Sequence, residues 1–321
     1  MNSEQIVLSR RSWLHWGGAS AASALVGCAT PPVPPPEAQA PPRMPDGRPT
    51  EPVPLRLPRI GLALGGGAAR GFAHVGAIGV LERHGIRPSL VVGTSAGSLV
   101  AALYASGKNH AALEQAALRM EEAVLTDWTV PFTNRGLLRG QALARYVNQQ
   151  VNHRLIEDMV LPLGIVATDL ATGEGVLFRR GDTGTAVRAS SAVPGLFQPV
   201  DISGREYVDG GLVAPVPVGH ALQMGAELVL AVDISSAPEG NAATDSLKVM
   251  LQTFSIMGQT INRHELRRAH VVVRPQLPGV GSAAFSQRER SLAAGRDAML
   301  AALPILRSKM AELSVPVTTR R

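Results

Sequence analysis

The chain has 321 residues, of which 45% are hydrophobic and 17% charged, with a formal net charge of +6 and one cysteine. That is enough apolar sequence for one sizeable α/β domain with an appendage, and a lone cysteine excludes an intrachain disulfide and a Cys-based structural zinc site. The basic surplus is dilute: no long Lys/Arg run occurs and aromatics make up 4%, so no nucleic-acid partner is expected, whereas an anionic membrane surface is compatible.

Residues 1–27 read as a targeting segment. Arg10-Arg11 precedes Trp13-Leu14 and a small-residue run from Gly17 to Gly27, too short to span a bilayer as a helix. Leu25-Val26-Gly27-Cys28 resembles the lipobox of bacterial lipoproteins, whose peptide is cut before the cysteine and whose cysteine is acylated. Ser9-Arg10-Arg11-Ser12-Trp13-Leu14 resembles a twin-arginine export signal, with the general secretory route as the alternative. These resemblances imply lipidation at Cys28, a membrane partner through that anchor, and a place in a bacterial cell envelope. Ala29 after the cysteine resembles outer-membrane sorting, facing the periplasm. Residues 28–58 carry 12 of the chain's 24 prolines. They cannot form a packed core and read as a semi-rigid spacer with a reach of roughly 90 Å.

The folded part begins with Ile60–Leu64, a buried strand, followed by Gly65-Gly66-Gly67-Ala68-Ala69-Arg70-Gly71 and a helix with Phe72, Val75, Ile78 and Leu81 at helical spacing. A glycine loop opening a helix presents backbone amides to an anion. A dinucleotide fold would also want such a loop, but needs an acid ending the next strand. That strand, Leu90-Val91-Val92, instead runs into Gly93-Thr94-Ser95-Ala96-Gly97 and a helix to Tyr104. Strand, tight turn, helix with a serine at the bend suits a nucleophile. Helices are expected at Ala111–Ala123 and Gln141–Val151, joined by a loop with Trp128 and Pro131, and strands at Leu163–Thr168 and Val176–Phe178. A short helix then leads to Ser190-Ser191 and Ala192–Pro199, a turn at Ser203-Gly204, Tyr207-Val208-Asp209-Gly210-Gly211, and a strand Leu228–Ile234. Helical stretches at Ser246–Ala269 and Arg288–Leu313 flank Val271–Val273, with Pro304 expected to kink or break the last. Interleaved strands and helices predict an α/β layered fold. The expected division is a catalytic domain at 59–235 and a C-terminal helical extension at 236–321 packed on it. Thr126–Gly140 and Ala237–Asp245 are lid candidates by loop length.

A serine nucleophile needs a base. An α/β-hydrolase order would use Asp169 or Asp233 and then His264 or His270, but neither histidine sits in a convincing loop, and His74 and His84 lie on the first helix. Asp209, between a strand end and two glycines, is the stronger candidate, although an aspartate in such a place is often only a turn former. No clustered His/Asp/Glu spacing suggests a metal.

Three glycine-flanked sites on one chain, Gly65–Gly71, Gly93–Gly97 and Asp209-Gly210-Gly211, with Ala192–Pro199 between the last two, resemble the patatin-like phospholipases, specifically their compact bacterial branch. The resemblance runs from Ile60 to Ile234 and more loosely beyond. One departure is Ala68, where plant patatins carry glycine. The family implies a three-layer α/β/α fold with a mostly parallel central sheet and C-terminal helices. It implies a Ser–Asp dyad without histidine and without a cofactor. Ser95 would attack a lipid ester, Asp209 would accept its proton, and Gly65, Gly66 and Gly67, with Arg70 near, would form the oxyanion hole. Gly93, Gly97, Gly210 and Gly211 would shape the two turns. Phospholipid, lysophospholipid and acylglycerol stay open as substrates. A lipid-binding protein without catalysis and an acyltransferase are the alternative readings. The oligomeric state is not legible.

Overall fold

The computed structural model describes residues 55–120, 127, 135–235, 245–281 and 284–316. In chain order these form β1 (Leu55–Arg56), β2 (Ile60–Leu64), α1 (Phe72–Arg83), β3 (Leu90–Thr94), α2 (Ala96–Ala105), α3 (His110–Arg119), β4 (Gly136–Leu138), α4 (Gln141–Gln150), β5 (Leu163–Asp169), β6 (Gly175–Phe178), α5 (Thr183–Ser190), β7 (Gly195–Phe197), β8 (Val200–Ile202), β9 (Arg205–Asp209), α6 (Val218–Gln223), β10 (Leu228–Val232), α7 (Ser246–Glu265), β11 (Val271–Val273), α8 (Arg288–Glu312) and β12 (Val315–Pro316). Helix starts follow side-chain chemistry. Asn109, Asp182 and Asp245 each accept an amide of the first turn of α3, α5 and α7, satisfying a donor that the helix cannot.

The central sheet has eight strands among the described residues, in the order β11-β10-β2-β3-β5-β9-β8, with β6 also paired to β5. β11, β10, β2, β3 and β5 are parallel, and β6, β8 and β9 join antiparallel. Side chains alternate between two cores, as the two-residue period of a strand requires. Leu62, Leu64, Val91, Ile165, Leu230 and Val232 meet Phe72, Val75, Val100, Leu143, Val187 and Leu292 of the helices on one face. Ala63, Val92, Val166, Val229 and Ala231 meet Val218 and Ala221 of α6 and Leu266 on the other. Burial on both faces explains the near-continuous apolar strand sequences. This is the three-layer α/β/α architecture with a mostly parallel sheet.

Several details differ from the sequence expectations. The helix expected at Ala111–Ala123 starts at His110, held by the Asn109 cap, and ends at Arg119; residues 121–123, with Trp128 and Pro131, lie outside the described residues. The stretch expected to be helical through Ala269 passes into a 3-10 turn at Leu266–Arg268. Pro304 does not break α8, which continues to Glu312. It sits on the exposed side of that helix, where water can take up the Leu300 carbonyl that its missing N–H leaves free.

β5 organises the site. One of its edges pairs with β6 through residues 165–168. The other pairs first with β3, up to Thr94 opposite Val166, and then with β9, beginning at Asp209 opposite Ala167. The carboxyl ends of β3 and β9 therefore meet head to head along one edge of β5, and the turns that follow Thr94 and Asp209 leave from adjoining register positions.

Behind the sheet, α1 and α8 cross closely. A side chain built on Gly76 would collide with the Leu292 carbonyl, and one on Gly295 with the Ala73 carbonyl. Gly295→Val is expected to force the helices apart at a cost of about 3 kcal/mol, a fall in Tm of roughly 10 °C for a domain of this size. An unchanged calorimetric Tm would show that the crossing tolerates a side chain.

Candidate active site

Ser95 is the residue between β3 and α2, at φ 52° and ψ −123°, a backbone conformation that costs a non-glycine residue roughly 1–3 kcal/mol. The bend is held by close backbone approach. A side chain at Gly97 would strike the Leu64 carbonyl, and one at Gly93 would meet the backbone of Gly97 and Ser98. Polar contacts fix the rest. Thr94 Oγ1 donates to the Ala214 carbonyl at 2.8 Å, and Ser98 Oγ donates to the Ser95 carbonyl at 2.6 Å. Serine at a helix N-cap usually turns its hydroxyl onto the first-turn amides. Ser95 makes no such cap. Its Oγ donates instead to Asp209 Oδ2 at 2.8 Å, and the positive end of α2 stays open beneath it.

Asp209 ends β9, 7% exposed. Its Oδ1 accepts the Gly211 amide at 2.6 Å, and its own carbonyl accepts Thr168 Oγ1 at 2.8 Å. A side chain at Gly210 would strike the Val166 carbonyl, so only glycine lets the turn close on β5. Burial pushes the Asp209 carboxyl up from 3.8 to about 6, against the lowering effect of the Gly211 amide and the Ser95 hydroxyl. A carboxylate near 6 is a better proton acceptor at neutral pH than one near the ordinary aspartate value of about 4.

The glycine loop lies on the elbow: a side chain at Gly66 would meet Ser95 Cβ at 3.2 Å, and one at Gly71 would meet Ala96 Cβ at 2.9 Å. Its amides are not equivalent. Gly65 N–H donates to the Val232 carbonyl at 3.1 Å and Gly66 N–H to the Pro215 carbonyl at 2.9 Å, so both are already committed to holding the loop. The Gly67 carbonyl accepts the Arg70 amide at 3.1 Å and Arg70 Nε at 3.2 Å. In a trans peptide the following N–H points the opposite way, so this clasp turns the Ala68 amide outward. Among the described residues, no acceptor binds the amides of Gly67 and Ala68. The loop thus leaves the Gly67 and Ala68 amides, rather than those of Gly65 and Gly66, without an acceptor among the described residues, and Arg70 clasps the loop through the Gly67 carbonyl. Ala68 sits at φ 51°, so the position where plant patatins carry glycine keeps a left-handed backbone here despite its methyl group.

Two residues without an assigned role from sequence hold this assembly. Ser190, fully buried at the end of α5, accepts the Ser95 amide at 2.8 Å and donates to the Val166 carbonyl at 2.6 Å. His74 Nε2 lies 2.8 Å from the Gly65 carbonyl. That oxygen only accepts, so Nε2 carries the proton, and burial, the main cause, pushes the imidazole down to about 4, leaving it neutral. A buried Ser or His at helical spacing carries no sequence signal of its partner. The sequence signal for Ser190 was only its place just before the Ala192–Pro199 block, whose Ala192 carbonyl accepts the Asp209 amide at 3.0 Å.

The hydrolase-order alternatives separate from Ser95. Asp169 accepts the Ala171 and Thr172 amides, and Asp233 accepts Ser235 and Arg274. His270 Nδ1 accepts the Val229 amide and His84 lies beside Arg307; His264 is exposed on α7. No group of three metal-ligating side chains occurs among the described residues. Cys28 lies outside them, as do Thr126, residues 128–134 and residues 237–244 of the two lid candidates.

The α/β/α domain thus brings together a serine at a strained elbow, a buried carboxylate and a glycine loop with uncommitted amides. A patatin-like phospholipase family model matches residues 62–222, about half the chain, and the chain belongs to the patatin-like phospholipase family. An uncharacterized NTE family protein of Mycobacterium tuberculosis is 34% identical over 185 residues, 58% of this chain and 51% of the relative. Patatin-like phospholipase domain-containing protein 6 of Mus musculus is 34% identical over 198 residues, 59% of this chain and 14% of the relative. The chain thus spans about half the length, or less, of these relatives. The crystal structure of VipD from Legionella pneumophila superposes with a TM-score of 0.52 at 15% identity, over 79% of this chain and 70% of that one, a likeness of fold.

Proposed function

We propose that the protein hydrolyses carboxylic esters of membrane lipids, phospholipid or lysophospholipid, through Ser95 and Asp209. The observation that carries this reading is the 2.8 Å hydrogen bond from the Ser95 hydroxyl to a buried carboxylate, with no histidine bonded to either residue among those described. Ser95 Oγ attacks the ester carbonyl while its proton passes to Asp209. The amides of Gly67 and Ala68 hold the developing oxyanion. Collapse of the tetrahedral species expels the alcohol, which takes the proton from Asp209 and leaves an acyl-enzyme on Ser95. Asp209 then deprotonates water for attack on the acyl group, and the acid and free serine are released.

This assignment has a pH signature. Asp209 must be ionised to accept a proton, so kcat/KM is expected to fall tenfold per unit below the carboxyl's value of about 6 and to level off above it. A rate profile on a soluble p-nitrophenyl ester measures this. A profile flat from about pH 4.5 to pH 8 would remove Asp209 as the base. Product analysis on a panel of phospholipids, lysophospholipids and acylglycerols identifies the ester. Release of free fatty acid, rather than transfer to a second lipid, distinguishes hydrolysis from acyl transfer.

The reading extends to location. No helix among the described residues is long and apolar enough to cross a membrane, and the lipobox-like Leu25–Cys28 supports tethering by an acylated Cys28 at the outer membrane, facing the periplasm. Cys28→Ser is expected to shift the protein from the membrane to the soluble fraction of a bacterial host. Fractionation that leaves it in the membrane to the same extent would remove the anchor.

A further inference from the structure

We infer that the outward face of α7 docks on a lipid bilayer and brings the mouth of the Ser95 site onto its surface. The inference rests on the lipid-hydrolase reading for its choice of partner.

α7 is apolar on two faces. Its inner side is engaged with the walls of the site. A side chain at Gly195 would meet Met250 and Leu247, Gly258 faces Pro215 at 3.5 Å, and Asn262 Oδ1 accepts the Val216 amide at 3.1 Å. Pro215 is the residue whose carbonyl holds Gly66, and the five-residue step from Ser190 to Gly195 links the Ser95 amide to the helix. Of the residues in α7, only Gly258 and Asn262 are buried. The opposite side should then be polar, as on an ordinary surface helix. Instead Val249, Ile256 and Met257 stand 51%, 51% and 49% exposed. Their positions i, i+7 and i+8, with Thr253 and Thr260 between and beyond them, form one uncharged ridge.

Two observations favour a bilayer as the occupant. The helix sits on the site's walls: Met250 and Leu247 lie against Gly195 at the start of β7, and β4, paired in register with β7, carries Leu137 at 39% exposed. The charge also fits an anionic surface. Between Asp245 and Arg268 the acids Asp245 and Glu265 are ion-paired to Lys248 and Arg268. Arg263 and Arg267 are exposed beside the ridge, in surplus over those acids. An apolar ridge with basic neighbours, parallel to the surface, is how a helix lies in a lipid interface.

The test uses the full chain with Cys28→Ser, which removes any acyl anchor, and Ser95→Ala, which removes chemistry. Partition onto vesicles of about 30% phosphatidylglycerol in phosphatidylcholine is measured by flotation, with and without Val249→Glu, Ile256→Glu and Met257→Glu. The three substitutions are expected to weaken partition about 100-fold. In the chain with Ser95 intact, they should leave hydrolysis of a soluble p-nitrophenyl ester within about twofold, since exposed changes away from the chemistry are near neutral. Equal partition of the two chains would overturn the inference, as would a dimer in sedimentation that the same substitutions dissociate. Ile256→Trp guards against a misfolded triple variant. Its fluorescence should shift to the blue on vesicles and be quenched by brominated lipid, and an unshifted spectrum on bound protein would also overturn the inference. If the ridge binds vesicles but the Ser95 chain cleaves no lipid ester, the hydrolase reading fails and the docking surface stands.

Discussion

Ser95→Ala is expected to lower kcat on a lysophospholipid or p-nitrophenyl ester by roughly 10⁵-fold and to abolish labelling by a fluorophosphonate probe. The size follows from what is lost. Alanine keeps the elbow, the glycine loop and the open end of α2, so binding and oxyanion stabilisation survive, but no oxygen remains to form the acyl-enzyme. The φ of 52° at this position adds a second readout. Glycine adopts that conformation without strain, so Ser95→Gly should be as inactive as Ser95→Ala yet more stable than it by about 1 kcal/mol. Retained turnover in either variant would remove Ser95 as nucleophile. Equal stability of the two would show that the elbow is not strained.

Asp209→Asn should separate activity from stability. Loss of the base is expected to lower kcat by roughly 10⁴-fold. The same change should stabilise the fold at neutral pH, for a reason contained in the carboxyl's position. Burial raises it from 3.8 to about 6, so the native state prefers the protonated form. The corresponding stabilisation is full below about pH 4 and is lost as pH rises through about 6. Above that, the native state holds a desolvated charge that costs on the order of 3 kcal/mol relative to the unfolded chain. Asparagine fills the same space, can accept the Gly211 amide and carries no charge. The Tm advantage of Asp209→Asn over the parent should open between about pH 4 and pH 7 and stay constant above. A difference independent of pH would mean that Asp209 is not buried as a charge. Undiminished turnover would remove it from the chemistry.

The chemistry-bearing turns were legible because each rests on a local conflict that few residues resolve. Gly93 and Gly97 permit close backbone approach, Gly210 lets a chain end against a strand, and an apolar run fixes each strand beside them. The helices were legible in their middles and less so at their ends, where Asn109 and the Leu266–Arg268 turn set boundaries that periodicity does not encode. Which amides of the glycine loop stay uncommitted was not legible to the residue. Which amide is free depends on acceptors far away in sequence, Val232 and Pro215 for Gly65 and Gly66, and on the Arg70 clasp on Gly67. Pro304 does not end α8, because the carbonyl its ring leaves without a partner lies on the exposed side of the helix. Ser190 and His74 act through backbone groups, and nothing in a side chain's identity announces which backbone atom it will meet.

The head-to-head meeting of β3 and β9 along β5 has a consequence for how such a protein diversifies. Thr94 and Asp209 are tied to neighbouring rungs, Val166 and Ala167, while α3 and α4 and the turns around them lie between the two in sequence and do not enter that ladder. The proposed nucleophile and its base thus sit like two halves of a hinge pin in one socket. Insertions in the turns flanking α3 and α4, or in the 170–174 turn before β6, can remodel the surroundings of the site, because none of them shifts either strand on β5. A single inserted residue within β5 would turn the following side chains to the opposite face and part the two halves. On the proposed reading, substrate range is open to change by loop exchange, whereas the reaction is locked to the spacing of one strand.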